Sequence, residues 1–134
     1  MKVKTLFSEE YRVLAVMNGD DCPAEEFMLN GEKSTEAARF GLLKLLEYVA
    51  SNGLQPAKWW HEADKELEIF EFIKGPLRLF FFKGKGNDIA VCISGVRKKT
   101  QKADKRSVQN AAEWRNAYFE ALNNSELEVV TDEN

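Results

Sequence analysis

From Leu67 to Lys102 the chain alternates apolar runs with turn residues at hairpin spacing: LEIFEFIK, the Gly75-Pro76 break, LRLFFFK, then GKGND, then IAVCISGV. Runs of this kind, bounded by Gly, Pro, Asn and Asp, predict three strands joined by tight turns. Side chains alternate along a strand, so Leu77, Leu79 and Phe81 fall on one face while Arg78, Phe80 and Phe82 fall on the other. Arg78 therefore projects from a sheet face beside two aromatic rings. The third strand leads straight into Arg97-Lys98-Lys99-Thr100-Gln101-Lys102, a dense positive cluster at a strand end. An arginine on a sheet face with a lysine cluster at its rim suits a polyanion better than a small apolar ligand.

Before these strands, RVLAVM from Arg12 to Met17 predicts a first strand that ends at the turn Asn18-Gly19-Asp20-Asp21. Pro23 suits the first turn of a short helix running through Leu29 to a stop near Asn30-Gly31, with Glu25 and Glu26 at its positive end. A longer helix follows. Ser34 is placed to cap it, Glu36 lies in its first turn, and Ala38, Leu42, Leu45, Leu46 and Val49 recur at helical spacing before Asn52-Gly53.

Residues Gln55 to Lys65 read as a loop in which Trp59 and Trp60 cover the core edge between helix and sheet, in preference to stacking on bases. After the basic turn, Asp104 to Leu122 predicts a final helix whose stripe is Val108, Ala111, Ala112, Tyr118, Phe119 and Leu122. Arg115 interrupts that stripe and is expected to reach the sheet rim or to pair with Glu71 or another acid. The acidic segment from Asn123 to Asn134 has no strong pattern and is expected to be loosely ordered.

With 134 residues and 44% hydrophobic composition the sequence fits a single domain over 1–134. Its net charge of -3 hides a segregation: residues 74–106 hold ten Lys/Arg against Asp88 and Asp104, while the rest holds nine against twenty acids. A nucleic-acid face on an acidic body and a basic strip covered by an acidic partner both fit that asymmetry, as does a solvated strip of lysines.

Cys22 and Cys92 form no Cys-x-x-Cys pair, which argues against structural zinc, and Cys92 reads as a small buried hydrophobe. The first residues carry no apolar signal region, and no apolar run approaches the roughly 20 residues of a spanning helix, so a reduced, cytoplasmic protein without a membrane role is expected.

Gly84-Lys85-Gly86 lacks the Gly-Lys-Ser/Thr and helix start of a phosphate loop and reads as a hairpin connection. The acids show no metal-ligand spacing, so neither metal nor cofactor is expected. His61, the one histidine, is a candidate general acid or base because its ordinary pKa lies near neutrality.

The order strand, short helix, long helix and three strands carries a resemblance, together with the runs Leu-x-Ile-Phe-Glu-Phe, Leu-Arg-Leu-Phe-Phe-Phe and Ile-Ser-Gly-Val-Arg-Lys-Lys-Thr-Gln-Lys. From about Arg12 to Leu122 the chain resembles the RelE/HigB-type toxins of bacterial toxin-antitoxin pairs, nearest a phage-associated branch with a Lys-Lys-Thr-x-Lys signature. Lys98-Lys99-Thr100-Gln101-Lys102 is the most specific piece. Ala103-Asp104 stands where such families commonly have Thr-Pro, while Ala111, Arg115 and Tyr118 keep much of the following helix pattern. Glu71-Phe72-Ile73-Lys74 stands in place of a Tyr-Glu-Leu-Arg pattern, which leaves Lys74 as a shifted substitute for an arginine.

The resemblance implies an α+β RelE-like fold, a small, mostly antiparallel sheet packed on two N-terminal helices with a C-terminal helix beside it. It implies a ribosome-dependent, metal-independent mRNA endoribonuclease, neutralised by a cognate helix-turn-helix antitoxin. By the same resemblance Arg78 faces the scissile phosphate, and Lys98 and Lys99 hold phosphate or assist proton transfer. Lys74, Arg97, Lys102, Lys105, Arg106 and Arg115 are then the expected RNA contacts. Two alternatives use the same scaffold: a non-catalytic, phage-derived RNA- or protein-binding module, and a gyrase-inhibiting ParE-like toxin. Homodimerisation stays open.

Overall fold

Two apolar faces are written into the strands by their period of two, and the fold covers both. The computed structural model describes residues 1–98 and 105–131. Its elements in chain order are β1 (Lys2–Ser8), β2 (Arg12–Val16), α1 (Pro23–Leu29), a 3₁₀ turn (Lys33–Thr35), α2 (Glu36–Asn52), β3 (Trp60–Asp64), β4 (Ile69–Lys74), β5 (Leu77–Phe82), β6 (Asp88–Arg97), α3 (Lys105–Asn123) and β7 (Glu128–Val130). Among the described residues the strands form one seven-stranded sheet in the order β3-β4-β5-β6-β2-β1-β7. The β3-β4-β5-β6 meander and the β1-β2 pair are antiparallel, and β2-β6 and β1-β7 are parallel. The chain is thus an α+β protein, as expected.

Along β2, Val13 and Ala15 join the core under α1 and α2, while Leu14 and Val16 join the core under α3. On β5 the expected split holds: Leu77, Leu79 and Phe81 face α1 and α2, and Phe80 and Phe82 face α3. The C-terminal helix therefore covers the face opposite the other two, making three layers. Phe72 on β4 and Phe81 on β5, diagonal neighbours in the register with ring centroids 3.9 Å apart, stack at the centre of the first core. At Gly95 on β6 an added Cβ would collide with the ring of Phe27, so the missing side chain is what lets α1 lie this close to the sheet.

Three strands lie where none is expected from the sequence. β1 buries Val3 completely while Lys2 and Lys4 reach Asp20 and Glu25. β3 occupies the expected aromatic loop and pairs with β4 as the edge of the sheet. β7 lies in the expected loose tail, where it pairs with β1 and the Met1 ammonium donates to the Glu126 carbonyl at 3.1 Å. Ser34 does not cap α2: it sits in the 3₁₀ turn with its hydroxyl on Glu32 Oε2 at 3.3 Å, and Thr35 occupies the cap position without a side-chain cap bond.

Candidate functional site

β3, β4 and β5 bring three polar side chains together on the face that carries α3. Register pairs His61 with Glu71 and Glu71 with Phe80, while Ile73 opposes Arg78, so His61, Glu71 and Arg78 share one side of the sheet. Glu71 is 1% exposed, although its neighbours on β4 are large and apolar. Its Oε1 lies 3.0 Å from His61 Nε2 and 3.8 Å from Arg78 Nε. A carboxylate this deep needs cationic or hydrogen-bonded company, and these two side chains supply it.

The cluster is anchored from both sides. Arg78 Nη1 donates to the carbonyls of Gly75 at 2.8 Å and Leu77 at 2.9 Å, which fixes one end of the guanidinium on the β4-β5 turn. Arg78 Nε is buried with no acceptor within bonding distance among the described residues, since Glu71 stands just beyond reach. His61 Nδ1 lies 3.0 Å from the Glu62 carbonyl, so both ring nitrogens face oxygens and only the doubly protonated ring donates to both. Half of the His61 side chain is open to solvent, whereas Glu71 lies underneath. Chemically the cluster offers a proton carrier at the surface, a carboxylate that orients it, and a planar cation suited to phosphate oxygens.

The other basic residues expected to bind RNA disperse. Lys74 opposes Leu77 and lies against α2 at Gly41, on the sheet face opposite Arg78. Arg97 opposes Leu77 from β6 and reaches Glu32 Oε2 at 2.9 Å in the connection between α1 and α2. That connection is itself held by the buried Arg39, which donates to Thr35 Oγ1 and the Glu32 carbonyl. Lys98 donates its backbone N–H to the Pro76 carbonyl at 2.7 Å, beside the turn that anchors Arg78. Lys105 and Arg106 are exposed at the start of α3. Arg115 pairs with Glu68 at 2.9 Å, not with Glu71, and lies over the Phe119 ring. Lys99 and Lys102 lie outside the described residues.

A second polar network escaped the sequence. Asp88 at the start of β6 is buried, and its Oδ1 accepts from Arg12 Nε at 2.8 Å and Nη2 at 2.7 Å. Tyr118 donates its hydroxyl to Asp88 Oδ2 at 2.9 Å and accepts from the Lys85 backbone N–H at 3.1 Å. Burial, and then the adjacent Asp88 charge, push the Tyr118 phenol up to about 12. This network ties β2, the β5-β6 connection and α3 together and is structural.

Burial also pushes the thiols of Cys22 and Cys92 up, Cys92 being the deeper. Both are free and buried, as read for Cys92. Among the described residues no group of three His, Cys, Asp or Glu side chains is arranged to hold a metal, and no helix is long and apolar enough to cross a membrane. Compared with protein-family models and with curated proteins, the sequence matches none.

Proposed function

We propose that the chain is a metal-independent endoribonuclease, the toxin of a toxin-antitoxin pair, acting in the cytoplasm on mRNA held by the ribosome. One observation carries the reading: the half-exposed His61 and the Arg78 guanidinium converge on one carboxylate, that of the buried Glu71. Cleavage of RNA through its own 2′-hydroxyl needs a base for that hydroxyl, a cation for the phosphorane and an acid for the departing 5′-oxygen.

In this mechanism His61 acts as the neutral ring: Nε2–H donates to Glu71, and the unprotonated Nδ1, on the exposed side of the ring, takes the 2′-hydroxyl proton, the hydroxyl displacing the contact with the Glu62 carbonyl. The 2′-oxygen to phosphorus bond forms, Arg78 stabilises the charge on the phosphorane oxygens, and the phosphorus to 5′-oxygen bond breaks. Lys98 returns a proton to the 5′-oxygen from its place beside the Arg78 turn. A helix-turn-helix antitoxin completes the pair. The binding-module reading draws on a different observation, the ion pairs that already occupy Arg97 and Arg115.

The test is to map mRNA 5′ ends on translating ribosomes with wild type, His61→Ala and Arg78→Ala, alongside thermal melts. New ends with wild type and none with the two folded variants support the nuclease. A wild type that makes no new ends removes it, and the binding module takes its place.

A further inference from the structure

On the face of the sheet opposite His61, a cavity of about 350 Å³ opens between α2 and the strands, lined by Gly41, Lys44, Leu45, Tyr48, Trp59 and Lys74. Tyr48 is 41% exposed, and its ring meets Trp59 edge to face, with centroids 5.6 Å apart. Tyr48 and the exposed Phe40 thus leave aromatic surface open at and beside the cavity.

The two lysines are placed by their surroundings. A Cβ at position 41 would come within 2.6 Å of Lys74 Cε, so glycine is what allows the Lys74 stem to lie across α2. Lys44 Nζ stands 5.5 Å from the centroid of the exposed Phe40 ring. Among the described residues neither lysine is paired with a carboxylate, whereas Arg12, Arg78, Arg97 and Arg115 all are. The residues lining the cavity include no acid, although acids outnumber Lys and Arg in the chain.

We infer that this cavity holds one nucleotide of a single-stranded RNA, its base against Tyr48 and Trp59 and its phosphates on Lys44 and Lys74. Aromatic faces interleaved with unpaired cations are how single strands are held without sequence readout. The volume lies at the small end of ligand sites, roughly 300–1,000 Å³, and suits a nucleotide better than a protein anchor flanked by a long groove. Within the cavity β4 offers no free backbone to a peptide strand, being bonded on both sides by β3 and β5, and the Ile73 N–H already donates to the Trp59 carbonyl. An acidic helix running on along α2 meets Glu47 in the next hollow.

The placement joins this site to the catalytic cluster. Trp59 lines the cavity and His61, two residues on, reaches Glu71 on the far face, and β3 is the open edge of the sheet. A strand folded over that edge lies in the groove on one side and at His61 on the other. The inference rests on the RNA reading above, but only on binding.

The experiment is titration of the full chain with a 2′-O-methyl uridine hexamer and, separately, with uridine monophosphate, read by amide and indole NMR shifts at several salt concentrations. The Trp59 indole signal is assigned by its loss in Trp59→Phe. The hexamer is expected to shift Trp59 and Tyr48 and to bind at least 10-fold more tightly than the monophosphate. Lys44→Gln with Lys74→Gln should weaken it 10-fold or more and reduce the salt slope by about 1.4, near 0.7 per lost phosphate contact on a single strand. Arg78→Ala should leave the Trp59 shift in place.

Equal binding of monophosphate and hexamer would make this a free-nucleotide site and overturn the inference, as would a hexamer that leaves Trp59 unshifted. A Trp59 shift without ribosomal cleavage would keep this site and remove the nuclease.

Discussion

Glu71 Oε1 lies 3.0 Å from His61 Nε2 across the β3-β4 ladder, and the carboxylate beneath that bond is 1% exposed. The pair gives the histidine a fixed orientation that a side chain on an edge strand otherwise lacks. Removing the charge while keeping the shape isolates this role. Glu71→Gln should lower cleavage by at least 10-fold and stability by about 1–3 kcal/mol, because His61 and Arg78 lose the negative charge they share. Cleavage assays paired with denaturant melts check it, and unchanged cleavage would make Glu71 a purely structural residue.

Arg78→Ala should reduce cleavage about 100-fold to 1000-fold, the usual cost of losing one donor aimed at developing charge. Arg78→Lys should recover part of that loss, since an ammonium carries the charge without the planar fork. Single-turnover rates on ribosome-bound mRNA distinguish the three proteins. Equal rates for wild type and Arg78→Ala would move the site elsewhere.

Tyr118 predicts an alkaline weakness. Its phenol ionises near 10 when unfolded and is pushed up to about 12 in the fold, so between these values the unfolded chain releases a proton that the native chain keeps. Stability from this group is full below pH 10 and falls by about 1.4 kcal/mol per pH unit up to pH 12. Tyr118→Phe should be less stable than wild type at pH 8, and its unfolding free energy should decline less over that window. Urea melts at pH 8, 10 and 11.5 measure both slopes.

Gly95→Ala should destabilise by about 1–3 kcal/mol, through overpacking against Phe27. Trimming the opposing ring should relieve it. The double variant with Phe27→Leu is expected to melt above Gly95→Ala alone, a sign reversal that an effect on strand propensity would not produce.

Both thiols should resist alkylation in the native protein and react on unfolding, since each is buried with its ionisation pushed up. Mass spectrometry after iodoacetamide treatment with and without urea reads this directly. Fast labelling of Cys92 without urea would indicate that β6 opens locally.

Where apolar alternation was strong, the chain was legible: β4, β5, β6 and the stripes of α2 and α3 follow from spacing, as does the side on which Arg78 lies. β1, β3 and β7 were hidden because their partners, not their composition, make them strands. WHEAD has an edge strand's polarity, and Glu128–Val130 is too short to form without β1 beside it. Arg78 and His61 could be picked singly, but their meeting at Glu71 depends on the β3-β4 register, which a loop reading of residues 55–65 cannot supply. The same alternation that places Glu71 on one face places Lys74 on the other, so a sequence cluster of basic residues divided between two surfaces. Asp88 and Arg12, 76 positions apart, gave no local signal at all.

The parallel pairing of β2 with β6 sets a condition on synthesis. Arg12 to Ala15 pair with β1 on one side, but on the other they find partners only at Asp88 to Cys92, while the meander from β3 to β6 closes through near neighbours. A ribosome making this chain thus releases β2 long before the strand that completes it, and the apolar faces of Val13 and Leu14 must wait uncovered or be held by a companion. Whatever the chain does through the face built on β5 and β6 cannot begin until residues 88–97 have left the ribosome and closed the gap between the meander and β2.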